Sequence, residues 1–175
     1  MDSFDQIYKD RVEALFRAMY AARFVKNDNI PCSIEEGLFL GSFGAANNKD
    51  AMKTLNITHI LTVAASIPPA HPHDFTYKII QVADREDTDL AQYFDECVEF
   101  IDEAKRSGGV LVHCFVGRSR SVTIILAYLI KRRGMTVSQA LEYVRSKRPQ
   151  ASPNAGFIKQ LKNYEQSLLA KECPN

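Results

Sequence analysis

An apolar, strand-like segment, Val110-Leu111-Val112, runs into His113-Cys114-Phe115-Val116-Gly117-Arg118-Ser119-Arg120-Ser121 and then into an apolar, helix-like stretch from Val122 to Ile130. A chain that leaves a strand, curls through small residues and enters a helix has few ways to fold. The backbone N–H groups of the curl converge on one point, and the positive end of the helix dipole adds to them, giving an anion cradle. Cys114 opens the curl and Arg120 closes it six positions later. A thiol among such donors loses its proton readily, and the thiolate is the nucleophilic form. Arg120 offers a planar, two-pronged donor suited to two phosphate oxygens. Ser121 can donate its hydroxyl proton to the sulfur and make it a better leaving group. The run therefore implies hydrolysis of a phosphate ester through cysteine. The competing reading of Cys114 as a small core hydrophobe leaves the surrounding His, Gly, Arg and Ser unexplained.

The rest of the chain alternates in α/β fashion. The spacing predicts strands at Leu38–Leu40, His59–Val63, Tyr77–Val82 and Val110–Val112. It predicts helices at Ala45–Leu55, from Thr88 or Asp89 to Ser107, and at Ser121–Arg133, Thr136–Lys147 and Pro153–Leu169. Ser152 reads as the cap of the last helix, with Pro153 at its first position. Such alternation argues for a mainly parallel central sheet flanked by helices, with the site beyond the carboxyl ends of the strands, where Cys114 falls. Residues 1–30 read as a separate basic amphipathic helix and linker, and residues 31–175 as the catalytic domain. At 175 residues the chain is long enough for one full core.

The motif His113-Cys114-x-x-Gly117-x-x-Arg120-Ser121 resembles the signature of the cysteine-dependent protein phosphatases. Ala127-Tyr128-Leu129-Ile130, Gly37-Leu38-Phe39-Leu40-Gly41, Thr58-His59-Ile60-Leu61, the acidic loop at Asp84 and Ser152-Pro153-Asn154-Ala155-Gly156-Phe157 are similar to the dual-specificity branch. The wording is nearest to small plant members associated with MAP kinases. The likeness spans roughly residues 34–169. It implies a protein tyrosine phosphatase-like fold and a cysteinyl-phosphate intermediate, with phosphotyrosine and phosphoserine or phosphothreonine as substrates. A doubly phosphorylated MAP kinase is the phosphoprotein it suggests. It also places Asp84 in the general-acid position and gives Asn154 a supporting role. Asp87 and Asp89 compete for the acid role, although Asp89 suits a helix cap and Asp87 a solvated loop.

The substrate phosphate is expected on the backbone N–H groups of Phe115, Val116, Gly117, Arg118, Ser119 and Arg120, and on the Arg120 guanidinium. His113 is assigned a scaffolding role rather than that of a base. The Arg118 side chain either meets a second substrate phosphate or faces solvent. No metal or cofactor is expected, because thiolate chemistry needs none, and His71-x-His73 reads as loop chemistry. A non-protein phosphate ester and a weakly active phosphoprotein-binding adaptor are the alternative functions. Loop lysines usual in lipid phosphatases are missing here.

The net charge of +1 conceals segregation. From Asp84 to Glu103 there are nine acids against Arg85, and from Lys105 to Arg148 ten bases against Glu142. A positive field around the cradle would attract anionic substrate, although Lys131, Arg132 and Arg133 also suit a helix end. Nothing points to nucleic acid, and the longest apolar run is too short for a membrane span. Scattered cysteines and an acidic start without a leader pattern suggest a cytoplasmic or nuclear setting; a monomer or weak dimer is expected. Between Ile7 and Asn27, five bases against two acids accompany Val12, Phe16, Met19, Phe24 and Val25. This basic amphipathic stretch suits calmodulin, an expectation that the plant resemblance shares. Packing on the chain's own domain or on a second copy are the other destinations for its apolar stripe.

Overall fold

The computed structural model describes residues 2–173. A five-stranded sheet in the order β1-β2-β5-β3-β4 lies at the centre. Strands β2 (Leu38–Gly41), β3 (Ile57–Val63), β4 (Thr76–Ile80) and β5 (Gly109–His113) run parallel, and β1 (Cys32–Glu35) pairs antiparallel with β2 at one edge. Alternation along β5 builds two cores. Val110 and Val112 face one side, packed with α4 (Phe94–Ser107), α5 (Arg120–Arg133), α6 (Val137–Lys147) and α7 (Ala155–Glu172), while Leu111 faces the other. There it meets Ala45 and Met52 of the short helices α2 (Phe43–Asn47) and α3 (Lys49–Thr54). Helix α5 is buried from Ser121 to Ile130, so the helix behind the curl is fixed on all sides.

Several boundaries differ from the sequence expectation. The single helix expected over Ala45–Leu55 is two, because Asn48 (φ −88°, ψ 81°) leaves the helical region and its side chain accepts from the Ala51 N–H. The strand expected to reach Val82 stops at Ile80, and the Val82 carbonyl instead accepts from the Ala65 N–H and from Arg120 Nη1. Helix α4 starts at Phe94, after a 3₁₀ turn at Ala91–Tyr93 headed by Asp89, whose Oδ1 accepts from the Gln92 N–H. Helix α7 is capped by Asn154 rather than by Ser152, so Pro153 precedes the cap. Strand β1 carries no alternating signal to be read; its one buried residue is Ile34.

Charge segregation along the chain becomes neutralisation in space. Lys131 and Arg132 of α5 pair with Asp95 and Asp102 of α4, and Lys105 and Arg133 converge on Glu35. With Arg148 bound to Asp28 as well, five of the ten bases between Lys105 and Arg148 are spent on ion pairs rather than on a field at the cradle.

Helix α1 (Asp2–Asn27) is attached by its final turns. Ile7, Leu15, Phe16, Met19 and Val25 stay exposed, so most of the apolar stripe does not pack on the domain. Contact is made by Phe24, whose ring meets Phe115 at 5.6 Å, and at Gly44, where an added Cβ would come within 2.2 Å of the Phe24 carbonyl oxygen. No described helix is long and apolar enough to cross a membrane.

Candidate active site

Strand β5 delivers His113 and Cys114 to the carboxyl edge of the sheet, and the chain curls back into α5 at Arg120. The Cys114 sulfur is buried, 3.1 Å from Ser121 Oγ, and it accepts the Gly117 N–H at 3.3 Å. Gly117 has φ 71°, and a Cβ there would approach the Gly41 carbonyl oxygen to 2.6 Å, so only glycine fits this turn.

Arg120 donates from Nη1 to the Val82 carbonyl at 3.1 Å, while its Nε is buried without a protein partner. A buried donor left unpaired is costly, and an oxyanion bound in the curl would offer it an acceptor. Asp84 shares with Arg120 a pocket of about 520 Å³ whose walls include Phe43, Phe115 and, from α1, Arg17, Ala18 and Ala21. The Asp84 carboxylate accepts from Ser119 Oγ at 2.8 Å and from Asn154 Nδ2 at 2.9 Å. The competing acids lie elsewhere: Asp87 pairs with Arg85 on the surface, which draws its carboxyl below the usual range, and Asp89 heads the 3₁₀ turn.

His113 is a buried strut. Its Nδ1 lies 3.0 Å from the Cys114 carbonyl, which can only accept, so the proton is on Nδ1 and Nε2 accepts from the Thr62 hydroxyl at 2.9 Å. Burial pushes the imidazole down to about 4, against the bond to the Cys114 carbonyl and assisted by the Arg120 charge. It stays neutral at physiological pH. Asn154 lies near the curl indirectly, donating its N–H to Ser119 Oγ. The side chain of Arg118 is exposed and its carbonyl accepts from the Ser152 N–H, while Val116 is partly exposed. Phe115 packs against Phe43 and Phe24, and its carbonyl accepts from the Phe43 N–H.

Sequence reasoning missed Arg148, Asp28 and Thr62. Arg148 is 5 % exposed and donates to the carbonyls of Gly117 at 2.7 Å and Val116 at 3.1 Å, while Asp28 grips its outer edge. In the sequence it is one more base at a helix end. Among the described residues no cluster of three metal-ligating side chains forms, and His71 Nε2 lies within hydrogen-bond reach of the Asn47 carbonyl.

Comparison with known proteins adds to this geometry. The family described as dual specificity phosphatase, catalytic domain, matches residues 38–167. Dual specificity protein phosphatase 1 of Arabidopsis thaliana is 59% identical over 173 residues, covering 98% of this chain and 87% of that protein. MAP kinase phosphatase with leucine-rich repeats protein 3 of Dictyostelium discoideum is 44% identical over 148 residues, 84% of this chain and 17% of that protein. Among solved structures, the human tyrosine phosphatase-like serine/threonine/tyrosine-interacting protein superposes with a TM-score of 0.78 at 33% identity, covering 81% of this chain and 99% of that one.

Proposed function

Because the chain belongs to the dual specificity phosphatase family, we propose that the curl from Cys114 to Arg120 is where it hydrolyses phosphotyrosine and phosphoserine or phosphothreonine. The Cys114 thiolate attacks phosphorus in line, forming the S–P bond as the P–O bond to the substrate breaks. Asp84 gives its proton to the departing oxygen. Water then attacks the cysteinyl phosphate, Asp84 takes a proton from that water, and inorganic phosphate and thiolate separate, with the Ser121 hydroxyl supporting the charge that returns to sulfur. The N–H groups of the curl and Arg120 hold the equatorial oxygens throughout.

One observation carries this reading: a buried thiol whose sulfur accepts the Gly117 N–H and lies within hydrogen-bond reach of Ser121 Oγ shares a site with a guanidinium whose buried Nε has no protein partner. The test is Cys114→Ser. Turnover of p-nitrophenyl phosphate should fall below about 1% of wild type while phosphopeptide binding persists. Higher residual turnover removes Cys114 as nucleophile. A wild-type protein that binds phosphopeptide without vanadate-sensitive turnover is instead an adaptor.

For the physiological substrate we propose a doubly phosphorylated MAP kinase. Support comes from a relative that carries MAP kinase phosphatase in its name. The inactive Cys114→Ser variant should retain phosphorylated but not unphosphorylated MAP kinase. The free thiols of Cys32, Cys97, Cys114 and Cys173 suit a reducing compartment, cytoplasm or nucleus. Calmodulin is the partner proposed for α1, supported by the exposure of Ile7, Leu15, Phe16 and Met19 on a helix that carries a net +3 between residues 7 and 27. Calorimetric titration should show calcium-dependent binding that Phe16→Asp weakens, and a flat titration rejects the proposal.

A further inference from the structure

We propose that Arg148 is a positioning residue for the phosphate-binding curl, and that Asp28, immediately after α1, holds Arg148 in that role. The inference rests on the reading of the curl given above. The Arg148 Nε donates to the Gly117 carbonyl at 2.7 Å and Nη2 to the Val116 carbonyl at 3.1 Å. Every peptide bond here is trans, so in each planar unit the C=O and the following N–H point in opposite directions. Holding the Val116 carbonyl outward turns the Gly117 N–H inward, and that N–H is the one found 3.3 Å from the Cys114 sulfur. Holding the Gly117 carbonyl outward does the same for the Arg118 N–H. One guanidinium thus sets two of the donors that face the sulfur and the phosphoryl group.

The other face of the guanidinium belongs to Asp28, with Nη2 to Oδ2 at 2.8 Å and Nη1 to Oδ1 at 3.3 Å. A guanidinium this buried, facing only two neutral carbonyls, would be poorly compensated, and the carboxylate supplies the missing charge. Asp28 is itself fixed, since its carbonyl accepts from Ser42 Oγ at 2.8 Å and its N–H donates to the Phe24 carbonyl at 2.9 Å. The contact is also tight: a Cβ at Gly117 would lie 2.7 Å from Arg148 Nη2. A planar fork reaches two adjacent carbonyls and a carboxylate together, which an ammonium cannot do.

The experiment compares Arg148→Lys and Asp28→Asn with wild type in thermal unfolding, kcat and KM for p-nitrophenyl phosphate, inhibition by orthovanadate, and the pH dependence of Cys114 alkylation by iodoacetate. For Arg148→Lys, kcat/KM should fall about 10²-fold, vanadate should bind more weakly by a similar factor, and alkylation should shift to higher pH. Asp28→Asn, partly exposed and gentler on folding, should move the same readouts in the same direction by about fivefold. Lower melting temperatures with vanadate inhibition and the alkylation profile unchanged in both variants would make the pair merely structural and overturn the proposal. An effect of Arg148→Lys without one of Asp28→Asn would overturn the role of Asp28 alone. Should wild type prove unable to turn over substrate, the phosphatase reading fails, while the alkylation profile still decides whether Arg148 sets the curl.

Discussion

Asp84 receives both of its protein donors on Oδ1, from Ser119 and from Asn154. Two donors on one oxygen orient the carboxyl group before substrate arrives and leave Oδ2 as the oxygen that the proposed general-acid role would use. Asp84→Asn keeps the shape and removes the carboxyl on which that proposal depends. Turnover of a phosphotyrosyl peptide should drop roughly 10²-fold, and that of p-nitrophenyl phosphate by much less, because its more acidic phenol leaves without help. Equal losses on both substrates, measured side by side, would reassign Asp84 to positioning. The residues of this site were unequally visible in the sequence. Cys114, Gly117, Arg120 and Ser121 sit within eight consecutive positions, so local spacing alone brings them together. Arg148 and Asp28 lie 120 positions apart, and only the folded topology makes them neighbours. Thr62 reaches His113 because β3 pairs with β5, a register that no local pattern encodes.

At the scale of elements, the loop bearing Asp84 is held from below by the first turn of α7. A Cβ at Gly156 would stand 2.0 Å from the Glu86 carbonyl oxygen, a backbone atom that cannot swing aside. Gln160, one turn further along α7, accepts the N–H groups of Leu90 and Ala91 and donates to the Thr88 carbonyl. The acid loop therefore rests on α7 at several points. Gly156→Ala should displace it, lowering stability by about 1–3 kcal/mol through overpacking and kcat by about tenfold through misplacement of Asp84. Chemical denaturation and steady-state kinetics check the two effects separately; a stable variant with full turnover would show that the loop has slack. The helices flanking the sheet were largely readable from their apolar spacing, because burial enforces the period. Boundaries set by single polar side chains, Asn48 between α2 and α3 or Asn154 before α7, were not, since an amide competes for backbone groups in ways that spacing does not record.

Across the whole molecule, acid should act in two stages. His113, held near 4 by burial, cannot take the proton that an unfolded histidine takes at about 6.5. Folding stability therefore falls as pH drops from about 6.5 to about 4, by about 3 kcal/mol in total. Glu35 behaves oppositely. Burial alone would raise its carboxyl, but bonds from Arg133 and Lys105 hold it down to about 2. Its contribution is present above the unfolded value and is lost as pH falls from about 4.5 to about 2, on the order of 2 kcal/mol after screening. Glu35 ties β1 to α4 and α5, so this loss loosens one edge of the sheet. Denaturant midpoints measured at pH 7, 5 and 3 should decline in both intervals. Glu35→Gln should make only the lower decline shallower, leaving the part that His113 contributes above about pH 4, and an unchanged slope there would remove Glu35 as a contributor.

Helix α1 is a rod of about 39 Å at 1.5 Å per residue, joined to a domain whose radius of gyration is about 15 Å. Its fixed point is the last turn, where Phe24 rests on Phe115 and the chain passes to Asp28. In mechanical terms it is a long lever with its fulcrum beside the catalytic loop. A force applied near Ile7 acts with a large moment on that joint, and whatever grips the free turns also grips the chemistry.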